Sequence, residues 1–134
     1  MKLNRRLAIA LGITALFGVV AVQAQEQQRV NVPFAFELVG QSLQAGTYMA
    51  ISDLGGPLRI ENTATGHSLE LVPVLVGLTN SDHSSMVFRC YPSECFLNQI
   101  RFAGSQRVYQ VPPSKREKVL AKAVRPAVAV VAMR

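Results

Sequence analysis

The chain has no tryptophan, two cysteines and two histidines among its 134 residues, and only 16% of it is charged. Without tryptophan or a glycine loop able to cradle phosphate, it lacks the usual walls of nucleotide sites and of many carbohydrate sites. His67 and His83 stand apart with no third ligand in view, whereas a structural zinc needs four nitrogen or sulfur ligands. No cofactor and no metal are expected. Past Val22 no apolar run approaches the roughly 17 to 25 residues that a membrane-spanning helix needs. Internal repeats and low-complexity linkers are also missing.

Residues 1–24 have the form of a secretory signal. Lys2, Arg5 and Arg6 precede an apolar stretch from Leu7 to Val22, which closes on VQA before Gln25. Cleavage after Ala24 is expected, with an uncleaved anchor as the alternative. The mature chain is then 25–134, one domain of modest size. Export would place it in the periplasm, at the cell surface or outside the cell, with no membrane span and no nucleic-acid partner. Charge is unevenly spread. Residues 25–114 carry five arginines against seven acids, while 115–134 carry six basic residues and only Glu117. A near-neutral body thus bears a basic tail, suited to an anionic envelope component or simply to a solvated helix face.

From Arg29 the apolar pattern has period two. Val30, Val32, Phe34, Phe36 and Leu38 alternate with Asn31, Pro33, Ala35 and Glu37, as in a strand with one face in a core. Pro33 lacks an amide hydrogen, which assigns that strand to an edge or a bulge. After a turn region from Gly40 to Gly46 come strands at TYMAISDL, LRIEN, HSLELVPVLV, MVFRCY, CFLNQIRF and RVYQV, separated by turn signals. This spacing predicts an all-β domain over 25–113: a single antiparallel β-sandwich or open barrel of about seven to eight short strands, counting one at the C-terminus. At Ser114 the grammar changes. Ser114 and Glu117 make a capping box, KREKVLAKAV supplies helix formers with an apolar stripe at Val119, Leu120, Ala123 and Val124, and Pro126 ends the helix. One short basic helix over 114–125 and an apolar terminal strand or tail over 126–134 complete the expected organisation.

Few constellations suggest chemistry. Cys90 and Cys95 bracket YPSE, and in a tight hairpin they face each other at a distance that a disulfide spans. Oxidation suits an exported protein, and so short a loop makes the bridge a local stiffener rather than a redox centre. Ser81, Asp82, His83, Ser84 and Ser85 contain the residue types of a hydrolase triad, but triads join distant parts of a chain, so a polar loop tip is the expectation. A secreted hydrolase using Asp82 and His83 is retained as a minor alternative. Asp53, Glu61, Glu70, Asp82 and Glu94 are scattered, and only the fold could pair any two of them. Phe34, Phe36, Phe88, Phe96 and Phe102 sit at alternating strand positions and read as core. The basic residues Lys115, Arg116, Lys118, Lys122 and Arg125 are the candidates for surface attachment.

With these segments placed, VNVPFAFELVGQSLQAGTY, MVFRCYPSECFLNQI and PPSKREKVLA together resemble a group of uncharacterised small exported proteins common in acidobacterial genomes. The resemblance runs from about Arg29 to Ala121 and implies an exported β-rich domain without carrying over any catalytic residue. Two features depart from it: the cysteines at the hairpin, and the apolar extension after Pro126.

That extension, Ala127, Val128, Ala129, Val130, Val131, Ala132 and Met133, is uncharged, valine-rich and too short to cross a membrane. Left in water it would be an aggregation hazard. It can complete its own sheet, join another subunit by strand donation, or lie against a membrane or partner. The sequence therefore points to an exported, non-enzymatic β-domain with a structural or binding role. Its partner would be an anionic envelope component or itself, as a homo-oligomer or fibre.

Overall fold

A computed structural model describes residues 25–53 and 56–134. The expected signal, 1–24, lies outside the described residues. Eleven strands and one helix follow in order: β1 (Gln25–Val32), β2 (Phe36–Leu38), β3 (Gln41–Leu43), β4 (Gly46–Asp53), β5 (Leu58–Asn62), β6 (Ser68–Leu71), β7 (Val74–Leu78), β8 (Ser85–Cys90), β9 (Cys95–Phe102), β10 (Arg107–Gln110), α1 (Lys115–Ala123) and β11 (Ala127–Ala132). Among the described residues they form two sheets with no closed barrel. The first runs β1-β4-β5-β6. The second runs β11-β8-β9-β10-β7, with β2 and β3 attached beside β9.

The fold is thus the expected all-β sandwich with a short C-terminal helix, but it holds three more strands than the sequence pattern indicates. Two runs are cut by proline. The alternating segment from Val30 to Leu38 breaks at Pro33 and passes from the first sheet into the second, because Pro33 has no amide to donate to a ladder. HSLELVPVLV breaks at Val72 and Pro73 in the same way, giving β6 to one sheet and β7 to the other. The third addition is β3, inside the segment read as a turn, where it pairs with β2 through a two-residue connection of Val39 and Gly40. One pairing also departs from an all-antiparallel sheet: β2 lies parallel to β9, with Phe36 opposite Cys95 and Glu37 opposite Phe96.

The core fills the space between the sheets. Val30, Val32, Tyr48 and Ile60 from the first face Phe36, Phe88, Ile100 and Phe102 from the second, all buried. Phe88 takes the edges of two neighbours, with ring centroids 4.9 Å from Phe34 and 5.3 Å from Phe36. Phe96 is buried outside this cluster, edge-on to Tyr91. At one corner the sheets are sewn together. Val30 bridges Met133, and Arg29 and Arg134 exchange two main-chain hydrogen bonds of 2.7 Å each. At the opposite corner β6 pairs with β5 alone and β7 with β10 alone, so the sandwich ends there on two unpaired edges.

Candidate functional site

The most unusual surface lies at that open corner. β7 is exposed along its whole length, and with the preceding Val72 it presents Val74, Leu75, Val76 and Leu78 to solvent, with exposures from 47% at Val76 to 83% at Val72. A β-strand normally buries alternate residues. Here a bulge intervenes: Val76 has no partner in β10, whose Val108 and Tyr109 face Gly77 and Leu75. Beside it a groove of about 410 Å³ reaches the core residues Leu71 and Val111 and is rimmed by Val39, Val72 and Pro112. Val39 adopts φ 51°, left-handed backbone that a β-branched side chain strongly disfavours. The groove is therefore apolar at its floor and unusually shaped at its rim.

Gly40 and Ser114 also line an adjoining polar depression of about 620 Å³, with Glu37, Ser42, Glu94, Lys115 and Arg116. Fold geometry brings Glu94 of the β8–β9 turn close to Glu37 of β2, a pairing of carboxylates not visible in the sequence. Burial and the neighbouring Glu94 raise the pKa of Glu37 above the usual carboxylate value, while Arg116 and Ser114 pull it down. Arg116 Nε donates to Glu94 Oε1, so this basic residue is held at the domain rather than offered freely.

The other basic candidates, Lys115, Lys118, Lys122 and Arg125, are all exposed. Ser114 caps the helix as expected, its Oγ accepting the Glu117 amide at 3.2 Å. The reciprocal half of the capping box is replaced. Glu117, at 3% exposure, turns instead to the hairpin, accepting a hydrogen bond from the Tyr91 hydroxyl and lying 3.8 Å from Arg89 Nη1. The stripe predicted to bury α1 does not do so. Val119 and Val124 are exposed and Leu120 only half-buried; the buried residue of α1 is Glu117, one turn before Leu120.

Cys90 and Cys95 form a disulfide across the β8–β9 hairpin. The Tyr91 amide donates to the Glu94 carbonyl, which by the alternation of antiparallel ladders makes the cysteines a non-hydrogen-bonded pair, the kind that a disulfide bridges best. The polar loop around Asp82 and His83 bonds locally. Ser81 Oγ donates to the His83 carbonyl and accepts the His83 amide, while Ser84 is buried, its Oγ accepting the Ala103 amide and its carbonyl the Met133 amide. These bonds shape the loop and anchor the end of the chain. Among the described residues no group of three or more His, Cys, Asp and Glu side chains is arranged to hold a metal.

The terminal run is β11, and it pairs within its own chain. Six residues lie opposite Cys90 to Ser85 of β8 in unbroken antiparallel register. Ala129 and Val131 turn toward the core, whereas Val128 and Val130 remain exposed. Met133, just beyond, is buried. No helix among the described residues is long and apolar enough to cross a membrane.

This is the geometry of a two-sheet β-sandwich with one sewn corner and one open, apolar corner. Comparison with known families, curated proteins and solved structures returns no match to the chain. The functional reading therefore rests on its surfaces.

Proposed function

We propose that the protein is an exported, non-enzymatic β-domain that works by binding at the cell envelope or outside the cell, with the β7 edge and its groove as the contact surface. The observation that carries this is the exposure of five aliphatic side chains from Val72 to Leu78, on and just before a strand whose outer edge is unpaired. A bare edge with no charged residue is one that monomeric proteins normally blunt, and contiguous apolar surface of this kind marks interaction sites. The disulfide and the signal-like leader are compatible with export, as is the resemblance to small exported proteins. The test is fractionation of producing cells that express the chain from Met1. The wild type should distribute with the envelope, and a Val74→Lys/Leu78→Lys variant should be released from it; identical distribution of the two would sink the role assigned to β7.

A second contact is favoured by the unburied stripe of α1. Val119 and Val124 sit exposed among Lys115, Lys118, Lys122 and Arg125, the composition of a helix that lies on an anionic surface. Binding to anionic vesicles that weakens as salt is raised would support it, and salt-independent binding or none would exclude it.

A further inference from the structure

We infer that the occupant of the β7 edge is a second copy of this chain, seated through the outer edge of its β11, so that the larger sheets of successive molecules join end to end. The inference rests on β7 being the binding edge. β7 and β11 are the two end strands of one sheet, five and six residues long, and among the described residues no strand pairs with the far side of either along those lengths. β1 lies close to the end of β11, beside Ala132, but hydrogen-bonds to the chain only just past it, at Met133 and Arg134. Neither strand contains a charged residue, so neither edge is protected in the usual way.

Charge selects between the ways in which two copies could meet. The acids nearest β7 in sequence are Glu70, four residues before it on β6 of the other sheet and opposite Arg59, and Asp82, four after; both are exposed. The basic residues that flank β11 in sequence are Arg125, two before, and Arg134, two after, also exposed. A twofold pair of β7 strands, running antiparallel, would carry Glu70 toward Asp82 of its mate at both ends and repel. A twofold pair of β11 strands would set Arg125 toward Arg134. Only β11 against β7 brings an arginine to an acid at each end, and it does so whether the two strands run parallel or antiparallel. Opposite charges across a rim fix partner and register in this way. The contact is heterologous, since it joins different edges, and repeats into a ring or a filament. Each β11 stays in its own sheet, held by Met133 in its own core, so this is addition of one edge to another rather than exchange of strands.

The test uses the protein expressed from Met1 and purified in the form the cell leaves it, with solution mass followed by light scattering across concentration. The wild type should grow in mass beyond a dimer. Glu70→Lys/Asp82→Lys and Arg125→Glu/Arg134→Glu, all at exposed positions, should each associate about tenfold more weakly alone, because like charges then meet at both ends. Mixed together they should regain assembly beyond the dimer, since each variant's β7 now matches the other's β11. Assembly that stops at dimers, or charge reversal without effect, overturns the inference, and so does a wild type that stays monomeric. Envelope retention of the Val74→Lys/Leu78→Lys variant then separates the two ideas. If the wild type is monomeric yet the variant is still released, β7 binds a different partner; if the variant is retained like the wild type, the binding role of β7 falls as well.

Discussion

Val30 and Met133 face each other across an isolated antiparallel bridge that ties the first sheet to the end of the second, and both side chains are buried in the core. The last apolar residue of the chain is thus a core residue. Its neighbours are fixed on both sides, by the Ser84 carbonyl that accepts the Met133 amide and by the Arg29–Arg134 pair.

Replacing Met133 by alanine should therefore cost about 2–5 kcal/mol, the range for emptying a packed core position. Val130→Ala, on the exposed face of the same strand, should stay within about 0.5 kcal/mol of the wild type. Urea unfolding of the two variants checks the contrast. Equal effects would mean that the run is held at its edge alone and not by the core.

The physical origin of what could be read beforehand is visible in particular residues. Period-two alternation found Val30, Val32, Phe36 and Leu38 as core, because side-chain direction is a local property of extended backbone. The sheet to which each belongs is not local. Pro33 reads as the mark of an edge or bulge and HSLELVPVLV reads as one strand through Pro73, and only the fold shows that the chain crosses between sheets at each. The exposed strand β7 was legible only in part, as the end of the run HSLELVPVLV, and nothing in the sequence says that the sandwich ends there. Glu37 and Glu94 meet through the parallel pairing of β2 with β9, a long-range contact with no sequence signal. For α1 the cap was readable at Ser114, but the destination of Glu117 depends on Tyr91 and Arg89 lying beneath it.

Glu117 is the one buried residue of the helix, and the hydrogen bond and ion pair it makes hold α1 against the hairpin. Glu117→Ala should cost about 2 kcal/mol, in keeping with a buried hydrogen bond to a charged group. It should also raise amide exchange across Lys115–Ala123. Ser114→Ala removes the cap and should cost about 1 kcal/mol. Tyr91 offers a second handle. Burial, followed by the adjacent Glu117, raises its pKa above the ordinary phenol value, so the hydroxyl keeps the proton that it donates. Unchanged helix exchange in Glu117→Ala would show that α1 is held by other contacts.

The Val39–Gly40 turn carries positive φ at both residues, 51° and 74°, the signature of a type I′ hairpin turn. Glycine adopts this without penalty, whereas L residues lose roughly 1–2 kcal/mol in left-handed backbone. Val39→Asn, which suits the first turn position, should stabilise the protein by about 1 kcal/mol in thermal or urea unfolding. Since Val39 rims the groove beside β7, the same substitution tests whether its side chain is kept there for contact. A more stable variant with weaker association would mean that the strained valine serves binding, while greater stability with unchanged association would assign it no such part.

Glu37 sets the expected pH dependence. Its carboxyl titrates above the usual value, first because it is desolvated and second because Glu94 is close. The folded state therefore holds this proton more tightly than the unfolded chain does. The associated stability is fully present below the ordinary carboxylate value of 4.5 and is lost as pH rises through the higher folded value. Glu37→Gln removes the titrating group while keeping a polar side chain at the depression. Urea midpoints measured below pH 4.5 and again near neutrality should fall less for Glu37→Gln than for the wild type. Arg116→Ala should act in the opposite direction, since Arg116 favours the charged carboxylate; without it the loss on raising pH should be steeper. A wild-type stability that changes with pH over this interval just as that of Glu37→Gln does would mean that in solution Glu37 is neither desolvated nor close to Glu94.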